Sequence, residues 1–303
     1  TTITIPNQEK IYYFRSVAEN GRGAVVSRSL GVLNPSAPVG VADLRGRWSF
    51  DDSNFSSSVS PTDYPSLKLW LDASDAATIT KDGSNKVSIW NDKSGNENNV
   101  AQSNTNYQPI LNNSVLNSLP VIQFDGSDDA MTLPGSHTMQ TFFLILNARD
   151  GSTFSHWNWP IGGYTSDSNK FAVFYGKQDA NTIHVSGDPG AYLGSIALNG
   201  GIQNTQHDFS PLSTHKLVTI KLDSANTRSD WMIGDGFKNW KGDFAEIIVF
   251  SGQLTSTETE NIEGYLAHKW GIPLPQNQRM AAKDSSGNNH HGILKKKKFQ
   301  PTN

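Results

Sequence analysis

The chain has 303 residues, no cysteine, 26 glycines, 14 prolines and a formal net charge of −3, which excludes disulfide frameworks, thiolate zinc sites and cysteine nucleophiles. Only 36% of residues are apolar and 17% charged, against about 45–50% and about 25% in an ordinary globular chain. The difference is filled by 34 Ser and 27 Asn, residues of the tight turns that join short strands. A near-neutral chain projects no long-range field toward polyanions, which argues against a nucleic-acid partner. No run of 18 apolar residues predicts a membrane span.

In chain order, TITI reads as a strand, Pro6-Asn7 as a turn, and IYYFRSVAEN as a second strand. There Tyr13, Arg15 and Val17 alternate with Tyr12, Phe14 and Ser16. The proline-rich stretch over 35–43 reads as a linker. From about 62 to 275 the chain is a series of short β runs separated by Gly, Asn, Asp and Ser clusters. LKLWLDAS places Leu67, Leu69 and Leu71 on one face, and TFFLILNA, KFAVFYG, KLVTIKLD and FAEIIVF follow. Such runs without alternating helices predict antiparallel sheets packed face to face. One helix is predicted in TSTETENIEGYLAHKWGIP: Thr255 and Glu258 form a capping box, and Ile262, Tyr265, Leu266 and Trp270 recur at helical spacing. Gly271 and Pro273 end it. It is expected to lie against the edge of the sandwich and to act structurally. The basic run Lys295 to Lys298 reads as a solvated tail.

Candidate chemistry is sparse. No nucleophile elbow, zincin, phosphate-loop or dinucleotide motif is present. Glu246 stands alone in FAEIIVF, and Asp125, Asp128 and Asp129 surround a turn. The turns NDKSGNENN, FDGSDD and KGDFAE are rich in the hard oxygen donors that calcium takes, without the spacing of an EF-hand. The aromatic-rich string HWNWPIGGY suits sugar recognition, with His156, Trp157, Asn158, Trp159 and Tyr164 as the candidate ligand-binding set and Asp188, Tyr192 and His184 as weaker companions. The same two tryptophans would equally serve to cover one end of the core.

Four ordered strings carry a resemblance: LWLDASDAATIT, VSIWNDKSGNENNVAQ, LPVIQFDGSDDAMTL and GDFAEIIVFSGQLTSTETENIEGYLAHKWGI. Together they resemble bacterial laminin-G-like modules of the concanavalin A-like lectin/glucanase superfamily. The resemblance implies an all-β, antiparallel jelly-roll sandwich with one short C-terminal helix and partial β flanking segments. It also implies a structural calcium drawing Asp92, Asn96 and Asp243 together. The acidic E-x-D-x-x-E or E-x-D-x-E run of the glucanases is absent. Members are mostly non-catalytic modules of large secreted or surface proteins that often bind carbohydrate. YYFRSVAENGRGAVVS resembles the last two strands of a fibronectin type III module. LRGRWSFDD and AAKDSSGNNHHGIL each resemble a piece of a second laminin-G-like opening. The expected organisation is a fibronectin type III-like end over 1–34, a linker over 35–43, and the first strand of an outer laminin-G-like domain over 44–61. An inserted complete jelly roll follows over 62–276, and the outer domain resumes over 277–303. Trp48–Phe50 is expected to pair with 290–294 or lie beside it. The expected function is recognition of a glycan or another cell-surface or matrix ligand, without catalysis, in a large extracellular bacterial protein. The neighbouring domains of the same long chain are its other contacts. A structural spacer is the alternative, and a divergent glycoside hydrolase the third reading.

Overall fold

The computed structural model describes residues 59–149, 160–166, 169–177, 181–185, 194–234 and 240–274, and the backbone of six short strands near the two ends. In chain order the strands begin β1 (Ala18–Asn20), β2 (Gly23–Val25), β3 (Ser29–Gly31), β4 (Arg47–Ser49), β5 (Leu67–Asp72), β6 (Ile79–Lys81), β7 (Val87–Trp90) and β8 (Val100–Ala101). They continue with β9 (Ile110–Leu116), β10 (Leu119–Asp125), β11 (Met131–Leu133), β12 (His137–Ala148), β13 (Ile161–Ser166), β14 (Asn169–Lys177) and β15 (Thr182–His184). The last are β16 (Gly194–Leu198), β17 (Gln206–Asp208), β18 (Lys216–Arg228), β19 (Trp231–Ile233), β20 (Lys241–Phe250), β21 (Met280–Ala282) and β22 (Gly292–Leu294). Helix α1 (Ser256–Trp270) follows β20.

The contacts of the chain divide it into two units, Thr1–Ser60 with Gln276–Asn303, and Pro61–Pro275. In the first, β1 pairs with β2, β3 with β4 and β21 with β22, all antiparallel. Trp48 stands opposite Leu30, and Ile293 opposite Ala281. A ladder between Trp48–Phe50 and 290–294 is not among the described pairings. The linker over 35–43 lies outside the described residues.

The second unit is all-β apart from α1 and short 3-10 turns. One sheet runs β16-β18-β12-β20-β10-β9, with β5 also on β20; the other runs β17-β15-β14-β13-β19-β11-β8-β7-β6. Two strands share one edge of β20 by following each other along it. Glu246 to Phe250 pair with β5, and Lys241 to Phe244 pair with β10. Between the sheets lie Leu69, Leu71, Phe142, Leu144, Leu146, Val218, Ile220, Ile247 and Val249 from the first sheet. Trp90, Met131, Phe171, Val173, Trp231 and Ile233 meet them from the second.

Within TFFLILNA of β12, Phe142 to Leu146 are apolar without a break, which is the pattern of a strand covered on both faces. Phe143, Ile145, Leu217, Thr219, Ile248 and Phe250 point away from the inter-sheet core and are nevertheless fully buried. Helix α1 packs against β12 and β18 and buries Ile262, Leu266 and Trp270. Each large apolar side chain removed from water in this way contributes about 1.5–3 kcal/mol. The expectation that the helix sits at the sandwich edge is therefore corrected: it lies across the outer face of the seven-stranded sheet, because that face is too apolar to be left wet. The capping box forms as the sequence predicts, with Thr255 and Glu258 bonding reciprocally, and Gly271 closes the helix at φ 68°.

Candidate functional site

Among the described residues, the most deeply buried of the acids that accept four donors is Glu246, at the centre of β20 and opposite Asp72 of β5. It is 0% exposed. Its Oε1 accepts from Trp70 Nε1 at 2.7 Å and Tyr265 OH at 2.8 Å. Its Oε2 accepts from Lys269 Nζ at 2.7 Å and Trp270 Nε1 at 2.6 Å. Tyr265, Lys269 and Trp270 fall at i, i+4 and i+5 on α1, so one turn of helix delivers three donors to one carboxylate. Asp72 accepts Lys269 at 2.7 Å and Lys93 at 2.8 Å, and Ser74 through its backbone N and its Oγ. Lys93 also reaches Asp75 at 2.9 Å and lies 4.6 Å over the Trp70 ring.

The two acids respond oppositely. Burial pushes Glu246 above the usual carboxylate range, helped by the Asp72 charge and opposed by Lys269 and Trp270. Burial acts on Asp72 in the same direction, but Lys269, Lys93 and Ser74 together outweigh it and hold that carboxyl low. Desolvation and the two neighbouring acids raise the Tyr265 hydroxyl. Every oxygen of the Glu246 pair of acids is engaged by a donor, and Glu246 has no surface through which a substrate could reach it. The arrangement fastens α1 to the sheet. Its sequence signal was an acid inside an apolar run, followed by Tyr, Lys and Trp at helical spacing.

The expected calcium set does not converge. Asp92 accepts from Trp70 N, Ser94 N and Oγ, and Asn98 N, so it organises its own turn. Asn96 turns its amide nitrogen to the carbonyls of Leu67 and Lys68. That turn therefore sits beside Leu67 to Trp70, which face the Ile248–Phe250 end of β20. Asp243 lies five to seven residues further along that strand, roughly 17–23 Å away at the strand rise of about 3.3 Å per residue. It accepts instead from Gln123 Nε2, and its Oδ2 lies 3.5 Å from His215 Nε2.

Asp125, Asp128 and Asp129 do meet: each offers a carboxylate oxygen, all within 4.8 Å of one another. Asp129 Oδ2 accepts Asp125 N at 2.8 Å, and Asp125 Oδ1 accepts Ser127 N at 2.7 Å. Gly126 makes the turn possible at φ +81°, where a Cβ would come within 2.5 Å of that of Lys241. Burial, with the charges of Asp125 and Asp128, pushes the Asp129 carboxyl up to about 6. Three hard oxygens so placed could hold a metal ion.

His156, Trp157, Asn158, Trp159, Asp188 and Tyr192 lie outside the described residues. The Tyr164 backbone stands in β13 opposite Lys170. His184 stacks on Tyr175 at 5.4 Å and 12°. Trp90, Trp240 and Trp270 are buried packing residues. Between the sheets a cavity of about 20 Å³ is lined by apolar side chains, among them Leu69, Met139, Phe142, Trp231 and Val249; it has no room for a ligand beyond the size of a water. No described helix is long and apolar enough to cross a membrane. No family model, curated protein or solved structure matches the chain.

Proposed function

We propose that the 61–275 unit is a non-catalytic recognition module of the laminin-G-like, jelly-roll type. In this reading it belongs to a large extracellular or cell-surface bacterial protein and binds a glycan or another surface ligand through its 156–164 segment. The observation that carries the non-catalytic part is the fate of the best-placed acids. Glycoside hydrolysis needs two working carboxyls about 5–5.5 or about 6.5–9.5 Å apart around a substrate. Asp72 and Glu246, the facing pair in the sheet, are instead sunk under α1 and occupied by donors. The nested organisation rests on the resemblance of 44–52 and 281–294 to one interrupted opening, and the chain's contacts divide near the same two boundaries.

The test is a glycan array probed with the full chain, with calcium and with chelator, alongside Trp157→Ala and Trp159→Ala. Binding that both substitutions abolish supports the reading. A spacer is the second reading, favoured by the complete cover that α1 places over the outer face of the central strands. Silence across the array with calcium present would move the assignment there, and turnover of a polysaccharide would overturn both.

A further inference from the structure

At the end of the seven-stranded sheet away from the Asp92 turn, the side chains of His215 and Asp243 face each other, 9% and 5% exposed. His215 Nε2 is buried and has no hydrogen-bond partner, and it lies 3.5 Å from Asp243 Oδ2. An unpaired polar atom at that depth costs about 1–3 kcal/mol. The carboxylate is no better compensated. Its Oδ1 accepts one neutral donor, Gln123 Nε2, at 3.2 Å, and no Lys or Arg pairs with it among the described residues.

The separation is informative. It is longer than the roughly 2.7–3.2 Å of a good N–H···O bond. Two ligand atoms on one tetrahedral ion, with bonds of about 2.0–2.2 Å, stand about 3.4 Å apart. The surroundings hold the pair in place. Gln123 fixes the rotation of the Asp243 carboxylate so that Oδ2 faces the imidazole. Asp243 N donates to Asn147 Oδ1 at 2.9 Å, and Asn147 Nδ2 donates to the Ser213 carbonyl at 3.2 Å. Metal-ligating carboxylates are commonly oriented by hydrogen bonds of this kind.

We propose that His215 Nε2 and Asp243 Oδ2 form a two-residue site for a borderline divalent transition ion of the zinc or nickel kind, with water completing the coordination shell. Imidazole with carboxylate selects such an ion over calcium, which takes oxygens alone. Bound there, the ion cross-links the segment entering β18 to β20, two strands separated by β12, in a chain that has no cysteine to do so.

The test uses the full chain freed of metal with chelator and titrated with Zn²⁺ or Ca²⁺. Once Zn²⁺ exceeds its Kd, each further tenfold rise is expected to raise the Tm of the 61–275 unit by ~3–5 °C, with no such series for Ca²⁺ at this site. His215→Gln and Asp243→Asn should each abolish the shift, whereas His290→Ala with His291→Ala should leave it. A ¹⁵N NMR shift of the His215 ring on adding Zn²⁺ reads the same event without unfolding. A Tm series that survives His215→Gln, or a His215 ring signal unmoved by Zn²⁺, overturns the proposal.

Discussion

Replacing Glu246 with glutamine keeps the shape of the side chain and changes only what its Oε2 can do. In the wild-type chain that oxygen accepts from Lys269 at 2.7 Å and Trp270 at 2.6 Å; an amide NH₂ there would point a donor at two donors. Lys269 keeps its contact with Asp72, so the ammonium is not stranded, but Trp270 Nε1 loses its acceptor in a site that is 0% exposed. Leaving a buried donor without its acceptor costs about 1–3 kcal/mol, and because burial already opposes the Glu246 charge, no stranded-charge penalty adds to it. For a unit of this size each kcal/mol is worth about 2–4 °C in Tm. Urea unfolding followed by circular dichroism should therefore show a loss of ~1–3 kcal/mol and a Tm lower by roughly 2–10 °C. A loss below about 1 kcal/mol, the range of an exposed pair, would refute the view that this carboxylate fastens α1 to the sheet.

Asp129, held at about 6 when folded against an ordinary 3.8, binds its proton more tightly folded than unfolded. Its penalty is thus absent below about pH 4, grows as pH rises to about 6, and is complete above that. Asp129→Asn should stabilise the chain by about 1–2 kcal/mol at pH 7 and by nothing near pH 4, read from Tm against pH. Phe143→Ala, on the face covered by α1 rather than in the inter-sheet core, should cost ~3–5 kcal/mol in urea unfolding, as for any buried Phe; a value under about 1 kcal/mol would mean that face is not sealed. Thr255→Ala removes the cap and should cost about 1 kcal/mol, read the same way.

Much of the fold was legible because its signals are short-range. The two-residue period of LKLWLDAS, the unbroken apolar run of TFFLILNA and the Thr255–Glu258 spacing each depend on neighbours within one turn or strand. They returned as β5, β12 and the helix cap. The place of α1 was misread because an amphipathic helix shows which face it buries but not against what. The apolar residues of β12 that point away from the inter-sheet core held that information, and their double-sided pattern was the missed clue. The candidate calcium set failed for a related reason. Asp92, Asn96 and Asp243 are good turn residues and good ligands alike, and only the register of β5 on β20 separates them.

Composition, turn chemistry and periodicity by themselves determined an all-β chain with one capped helix, because those choices are made by local sterics and by which side chains avoid water. The tertiary structure alone decided which polar groups meet. Trp70 and Glu246 are 176 positions apart, and His215 faces Asp243 across an intervening strand. Such meetings follow from strand order and register, which one residue's slip would send to the opposite face of the sheet. Sheet pairing sums many weak long-range contacts that no local window contains.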